Sequence, residues 1–95
     1  MYRKLPNNAL KPYYYRVAHG VLYVYRHEED KEFKSLIYIG HSHEVKPLRS
    51  EFQKNEKDEE IYGIELISPH KRRVFYILGE HNFTFWKGIL LKATN

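Results

Sequence analysis

The chain has 95 residues, which suits one domain, and 42% of them are hydrophobic, with nine Tyr, five Phe and one Trp to fill a small core. It contains no cysteine, which excludes a disulfide framework, thiolate metal sites and cysteine nucleophiles. No apolar run approaches the roughly 20 residues of a membrane span, and the first residues lack the apolar stretch of a signal peptide. We therefore expect a single soluble, cytoplasmic domain over residues 1–95, with no membrane partner.

The net charge of +4 is unevenly distributed along the chain. Residues 1–26 hold five Lys or Arg and no acid, residues 27–66 hold eleven acids and six bases, and residues 67–95 hold five bases and one acid. If the two basic ends meet in the fold, they form a basic face. Such a face suits nucleic acid, because cations neutralise phosphates and interleaved rings stack on bases. The alternative is that Lys and Arg are simply the solvated side of strands.

The first part of the chain predicts an arm followed by a hairpin. Residues 1–12 carry two prolines and are predicted to be an extended basic arm, either flexible or strapped across the domain. Residues 13–18 and 21–26 are β-prone runs on either side of His19-Gly20, a spacing typical of a tight hairpin. An uninterrupted strand through Gly20 is the competing interpretation.

The middle of the chain predicts a strand and then the main helix. After an acidic connection, residues 35–41 form a short apolar run that favours a strand. From residue 45 to residue 57 the apolar side chains Val45, Leu48 and Phe52 recur at i, i+3 and i+7, which indicates one face of a helix.

The final third predicts a meander of three strands over residues 61–68, 73–78 and 83–91, separated by two polar turns. The order of elements is then strands, one helix and strands. We expect an α+β fold with a small, bent, mostly antiparallel sheet of about five or six strands and one main helix near residues 45–57. A small β-barrel with an inserted helix has the same pattern.

Two motifs in this order give the chain a resemblance to a known family. Gly20–Tyr23 reads Gly-Val-Leu-Tyr, Tyr38–Gly40 reads Tyr-Ile-Gly, and Arg49 follows on the predicted helix. This stretch of about thirty residues resembles the N-terminal half of the GIY-YIG nucleases. The first motif contains one extra residue, and the region after Ile61 predicts strands where the family has a helix that carries its metal-binding Glu.

The resemblance implies a set of catalytic residues. Tyr23 would activate the attacking water, Tyr38 would lie beside it, and Arg49 would hold the scissile phosphate. A divalent cation such as Mg²⁺ would be the cofactor, and Glu80 is the candidate for its ligand. His41 follows the second motif and, because imidazole titrates near neutrality, is a candidate to contact phosphate or to serve as an acid or base.

The histidines suggest a metal site as a further hypothesis. His41 and His43 are two residues apart and point the same way only on a strand. A bound metal would need a third ligand, for which Glu44 and His81 are the candidates. A polar loop after the strand is the alternative.

Basic and aromatic residues form the candidate nucleic-acid surface. The predicted turn at residues 69–72 begins the densest basic cluster of the chain, and the basic arm and the first hairpin add further cations. The phosphate-binding candidates are Arg3, Lys4, Arg16, Lys71, Arg72 and Arg73. Alternation along the first hairpin strand places Tyr14 on one face and its two Tyr neighbours on the other, so that one face packs and the other is available for stacking or for a protein partner.

Three functions are consistent with these patterns. The first is a small basic protein that binds DNA or RNA, with a degenerate GIY-YIG-like domain. The second is an active metal-dependent endonuclease of that type. The third is a protein-interaction or inhibitor module that uses a tyrosine-rich surface. The absence of a phosphate loop, a dinucleotide-binding fingerprint or a serine nucleophile elbow favours a binding protein over most metabolic enzymes.

Overall fold

The computed structural model describes residues 1–40, 43–48 and 59–94 of the chain. These residues form eight strands and one helix. The elements are β1 (Tyr2–Lys4), β2 (Leu10–Pro12), β3 (Tyr14–Ala18), β4 (Val21–Tyr25), β5 (Ser35–Tyr38), β6 (Glu44–Leu48), β7 (Ile61–Ile67), β8 (Arg72–Leu78) and α1 (Glu80–Thr94).

The strands form two antiparallel sheets. The large sheet has the order β2-β1-β8-β7-β6, and the small sheet has the order β3-β4-β5. The α+β class and the antiparallel pairing predicted from the sequence are confirmed. Both sheets are open, so the β-barrel alternative is wrong.

The N-terminal arm is extended, as predicted, but it is folded into the large sheet as the β1-β2 hairpin. Its turn is held by two backbone bonds, from the N–H of Leu5 to the carbonyl of Ala9 at 2.8 Å and from the N–H of Asn8 to the carbonyl of Leu5 at 2.9 Å. Asn8 has a φ of 67° there, in the left-handed region that Asn tolerates better than most residues. β1 then pairs with β8, so the arm is anchored rather than loose.

The hairpin predicted around His19-Gly20 is confirmed as β3-β4. His19 and Gly20 have φ values of 52° and 73°. A two-residue hairpin turn with positive φ at both positions has the twist that matches paired strands. The interpretation of one uninterrupted strand through Gly20 is therefore wrong.

The core lies between the two sheets and α1. Along β3 the side chain of Tyr15 is buried and that of Tyr14 is 41% exposed, as alternation predicts. The Tyr15 ring meets Phe75 of the large sheet edge-on at 5.6 Å and Trp86 of α1 edge-on at 6.1 Å. The other buried apolar side chains of the core are Tyr13, Leu22, Val24, Ile37, Ile39, Ile64, Leu66, Ile77 and Leu90.

The helix predicted near residues 45–57 is wrong over its described part, where Glu44–Leu48 is strand β6. This strand pairs with β7 along its whole length. It lies at the edge of the large sheet, a position where a strand accommodates Pro47. The apolar spacing that suggested a helix included Phe52, which lies outside the described residues.

The strand predicted over residues 83–91 is also wrong, because these residues belong to α1. Helical spacing is present in the sequence, since Phe83, Trp86 and Leu90 recur at i, i+3 and i+7 and all pack on the core. The alternation of Phe83 with Phe85 obscured it. Gly79, with a φ of 84°, makes the sharp turn from β8 into the helix.

No described helix has the length and apolar character that a bilayer-spanning helix requires.

Gly63 of β7 provides a test of the packing between β6 and β7. A Cβ at this position would lie 2.8 Å from the carbonyl oxygen of Leu48. We expect Gly63→Ala to lower the free energy of unfolding by about 1–3 kcal/mol, because the new methyl forces the two backbones apart. Urea unfolding followed by circular dichroism measures the change.

Gly88→Ala is the matched control. A Cβ at Gly88 meets no atom of the described residues within 4 Å, and the residue lies inside a helix, so this substitution should raise the free energy of unfolding by about 0.5–1 kcal/mol. A Gly63→Ala protein as stable as the wild type contradicts the close packing of β6 on β7.

Candidate functional site

The N-terminal hairpin and the start of β8 form a cleft lined by cations. β1 pairs with β8 through Tyr2 and Tyr76, which brings the basic residues of β1 beside those of the β7-β8 turn. The resulting concavity has a volume of about 310 Å³. We call it the basic cleft; its lining residues are Arg3, Lys4, Lys71, Arg72, Arg73, Val74 and Tyr76.

The β7-β8 turn fixes one wall of the basic cleft. The backbone N–H of Ser68 donates to the carbonyl of Lys71 at 2.8 Å, and the N–H of Lys71 donates to the hydroxyl of Ser68 at 3.1 Å. Pro69 follows Ser68, a position at which its fixed φ favours a tight turn. The turn therefore holds the backbone of Lys71 in place while its side chain stays exposed.

The cations of the basic cleft are close enough to repel one another. Burial lowers the pKa of the Arg73 guanidinium, and the nearby positive charge of Arg3 lowers it further. Within residues 1–40, 43–48 and 59–94, no ion pair involves Arg3, Lys71 or Arg73. An anion in the cleft would relieve this repulsion and supply the missing negative charge.

Arg72 differs from these three because it has a partner inside the large sheet. Its guanidinium forms an ion pair with the carboxylate of Glu65, whose side chain is only 7% exposed. A buried carboxylate needs such a compensating charge. Arg72 therefore has a structural role in addition to lining the cleft.

The charge of Arg3 also acts on Tyr15, a buried residue of the core. Burial raises the pKa of the Tyr15 phenol, and the positive charge of Arg3 opposes this shift in part. The hydroxyl of Tyr15 is buried and accepts or donates no hydrogen bond among the described residues. Arg3 is thus near enough to the core for its charge to act on a buried side chain.

The sixth predicted phosphate contact, Arg16, lies elsewhere, on the outer face of the small sheet. Its guanidinium is 5.3 Å from the centre of the Tyr25 ring. The register of β3, β4 and β5 places four tyrosines on this same face, opposite the buried side chains of the three strands. We call this surface the tyrosine face; its residues are Tyr14, Arg16, Tyr23, Tyr25 and Tyr38.

The two tyrosines of the nuclease resemblance are both on the tyrosine face. Tyr23 is opposite Leu36 and Tyr38 is opposite Val21, so the two are diagonal neighbours, about 7–8 Å apart for that geometry. Tyr23 also packs against Phe33 at 5.2 Å, and Tyr38 is 72% exposed.

The other catalytic candidates do not complete that site within the described chain. Arg49 and His41 lie outside the described residues. Glu80 lies in the first turn of α1. The hydrogen bond of the Tyr62 hydroxyl to Glu60 is the main cause that raises the pKa of this phenol, and the negative charge of Glu80 contributes to the same shift. Catalysis by Tyr23, Tyr38, Arg49 and His41 therefore stays a prediction.

The metal hypotheses also lack a described site. Among residues 1–40, 43–48 and 59–94, no group of three or more His, Asp or Glu side chains could hold a metal ion. His43 is described, and its Nδ1 is buried without a hydrogen-bond partner in that part of the chain. Its proposed co-ligand His41 lies outside it.

Sequence reasoning missed one further surface, a groove between β3 and α1. It has a volume of about 480 Å³ and is mostly apolar. A strand over residues 83–91, as the sequence predicts, leaves no helix to form this groove. The helical spacing of Phe83, Trp86 and Leu90 was the signal that could have revealed it.

Comparison of the chain with protein-family models, with curated proteins and with solved structures gives no match.

The ion pair of Arg72 with Glu65 predicts a difference between neighbouring cations. We expect Arg72→Gln to lower the free energy of unfolding by about 1–3 kcal/mol, because it leaves the Glu65 carboxylate buried without its charge partner. Lys71→Gln, at an exposed turn position, should change it by no more than about 0.5 kcal/mol. Urea unfolding of the two variants measures both. Equal stability of the two would show that Arg72 is not needed to balance Glu65.

Proposed function

We propose that this protein is a binding module that takes a phosphate-bearing polyanion, nucleic acid in the first place, into the basic cleft. One observation carries the proposal: five cationic residues from two distant parts of the sequence line a single concavity. Three of them, Arg3, Lys71 and Arg73, have no ion pair among the described residues. Cations gathered without acids are an arrangement that phosphate stabilises.

The size of the cleft supports contact with a short length of backbone. Its volume of about 310 Å³ is at the low end of ordinary ligand sites. A few phosphates of a flexible strand fit such a concavity better than the rigid surface of a duplex. The contacts are to phosphate, so we expect affinity with little dependence on base sequence.

The tyrosine face supports single-stranded rather than double-stranded nucleic acid. Its rings are presented on the outside of a sheet, and Arg16 stacks on one of them. Exposed rings on a sheet offer stacking sites for unpaired bases, which are worth about 1–3 kcal/mol per base. Bases in a duplex are already stacked and would gain nothing from this face.

The proposal predicts salt-dependent binding that requires the cleft. We expect the wild-type protein to bind a fluorescein-labelled 12-nucleotide oligo(dT) or oligo(U), measured by fluorescence anisotropy. The double variant Arg3→Gln/Lys71→Gln should bind at least tenfold more weakly. It should also lower the slope of log affinity against log salt by about 1.4, since each phosphate contact on a single strand contributes about 0.7.

Lys31→Gln is the control, because it removes a charge from an exposed loop outside the basic cleft. It should leave the affinity and the slope close to those of the wild type. Vesicles of anionic phospholipid are the second probe, and binding to vesicles with no binding to either oligonucleotide would assign the cleft to another polyanion. Binding that is independent of salt, or equal in the double variant, would refute the cleft as a phosphate site.

Nuclease activity is the second candidate, and the specific observation in its favour is the shared face of Tyr23 and Tyr38. Incubation of the same oligonucleotides with Mg²⁺ tests it. Cleavage by the wild type that Arg49→Ala abolishes would make the protein an enzyme. Oligonucleotides that stay intact after prolonged incubation would contradict nuclease activity and would leave binding as the proposed function.

A further inference from the structure

Strand β3 forms one edge of the small sheet, and over part of its length no described strand lies beside it. Val24 of β4 is opposite Tyr15, but its carbonyl points away from β3. On that side it accepts a hydrogen bond from the N–H of Lys34 at 2.7 Å. Because bonded and non-bonded pairs alternate along an antiparallel ladder, Tyr15 and Val17 direct their N–H and C=O groups to the free edge. None of these four groups has a hydrogen bond within the described ranges.

Just before β3 begins, the chain is already paired on this side, because the β1-β2 ladder of the large sheet continues to Met1 and Tyr13. Tyr13 faces the same way as Tyr15, and its N–H donates to the carbonyl of Met1 at 3.0 Å. The nitrogen of Met1 donates back to the carbonyl of Tyr13 at 3.2 Å. The edge therefore has the geometry for antiparallel pairing, and an extended segment laid along Tyr14–Ala18 would continue the line of β1.

An apolar groove runs beside this free edge. Tyr15 and Val17 form its sheet side, and the face of α1 that carries Trp86 forms its helix side. Phe85, which is 55% exposed, lies at its margin. Side chains of an added strand that point the same way as Tyr15 and Val17 would enter the groove, because paired residues in a sheet share a face.

Arg16 gives the free edge of β3 a charge preference. Arg16 lies between Tyr15 and Val17 on the opposite face of β3, so it would be directly across from the middle residue of an added strand. Lys92 lines the groove on the helix side. Neither has an ion pair in the part of the chain that the structure describes. An acidic middle residue would therefore meet an unpaired opposite charge.

We propose that β3 and the adjacent face of α1 form a docking site for an extended peptide with an apolar-acidic-apolar sequence. The peptide adds to the small sheet as a fourth strand, antiparallel to β3. Its first apolar residue pairs with Val17, its acidic residue lies opposite Arg16, and its second apolar residue pairs with Tyr15. Main-chain hydrogen bonds supply part of the affinity, and the groove and Arg16 supply the sequence preference.

A second copy of the chain fits this edge less well than a peptide does. When two β3 strands pair through the outward groups of Tyr15 and Val17, each Tyr15 lies opposite the Val17 of the other copy. Arg16 then lies opposite Arg16. Like charges directly across a ladder destabilise the pairing, so charge favours an acidic peptide.

The test uses a five-residue peptide, Gly-Ile-Glu-Leu-Ser with both ends blocked, which ends opposite Tyr14 and so stops short of the pairing of Met1 with Tyr13. Its binding is followed by the fluorescence of Trp86, the single tryptophan of the chain, which lines the groove. We expect a change in this fluorescence that saturates with peptide. The Ile-Lys-Leu peptide should bind at least tenfold more weakly, and Arg16→Glu should reverse that preference. Arg26→Glu, an exposed residue that does not line the groove, is the control that should keep it.

Methylation of single peptide nitrogens tests the pairing itself. The N–H of the Leu opposite Tyr15 would donate to β3, so its methylation should weaken binding at least tenfold. The N–H of the Glu points away from β3, so its methylation should change the affinity less than threefold. Equal binding of the Glu and Lys peptides, or equal effects of the two methyl groups, would overturn the proposal.

Two further measurements separate this site from the other surfaces. The Arg3→Gln/Lys71→Gln protein should bind the peptide as the wild type does, because those residues do not line the groove; a tenfold loss would place the peptide in the basic cleft and overturn the proposal. Sedimentation should give a monomer. A dimer that the peptide dissociates would assign the edge to a second copy instead.

Discussion

The contact of Tyr15 with Phe75 and Trp86 is the junction on which the rest of the structure depends. These three rings join the small sheet, the large sheet and α1 at one point, with edge-on geometry that aromatic pairs favour. The junction sets the distance of α1 from β3, and so the width of the apolar groove. It also places a buried phenol close enough to Arg3 for the charge of that residue to act on its pKa.

The two candidate surfaces depend on opposite properties of the sheet edges. The basic cleft exists because β1 is paired with β8, which draws the cations of the N-terminal hairpin to the β7-β8 turn. The groove exists because, within the described ranges, no strand pairs with the outer edge of β3 over Tyr15 and Val17. Strand pairing therefore concentrates positive charge in the basic cleft, whereas the lack of a described partner strand leaves backbone donors and acceptors free beside the groove. Open sheet edges of this kind are common sites of strand addition.

Local patterns predicted from the sequence held where one physical effect dominated. The turn at His19-Gly20 and the alternation of Tyr14 with its neighbours follow from backbone sterics and the pleat, and both are confirmed. The sequence predicts a helix where the structure has β6, and a strand where the structure has α1, because short apolar runs fit both the helical and the strand period. Val45 and Leu48 lie on a strand whose pairing with β7 overrides their helical spacing, and Phe83 lies in a helix although its alternation with Phe85 is typical of a strand. The sequence predicts which cations are candidates for the basic cleft but not that they line one concavity, because the pairing of β1 with β8 is a long-range contact.

Tyr13 is the single residue that connects a strand of one sheet to a strand of the other. β2 belongs to the large sheet and β3 to the small one, yet only Tyr13 separates them in the chain. The backbone of Tyr13 is bonded to Met1, where the β1-β2 ladder of the large sheet ends, and its side chain is buried in the core that both sheets line. The domain should therefore open as one cooperative unit, with slow amide hydrogen exchange in β4 and β8 lost together rather than sheet by sheet.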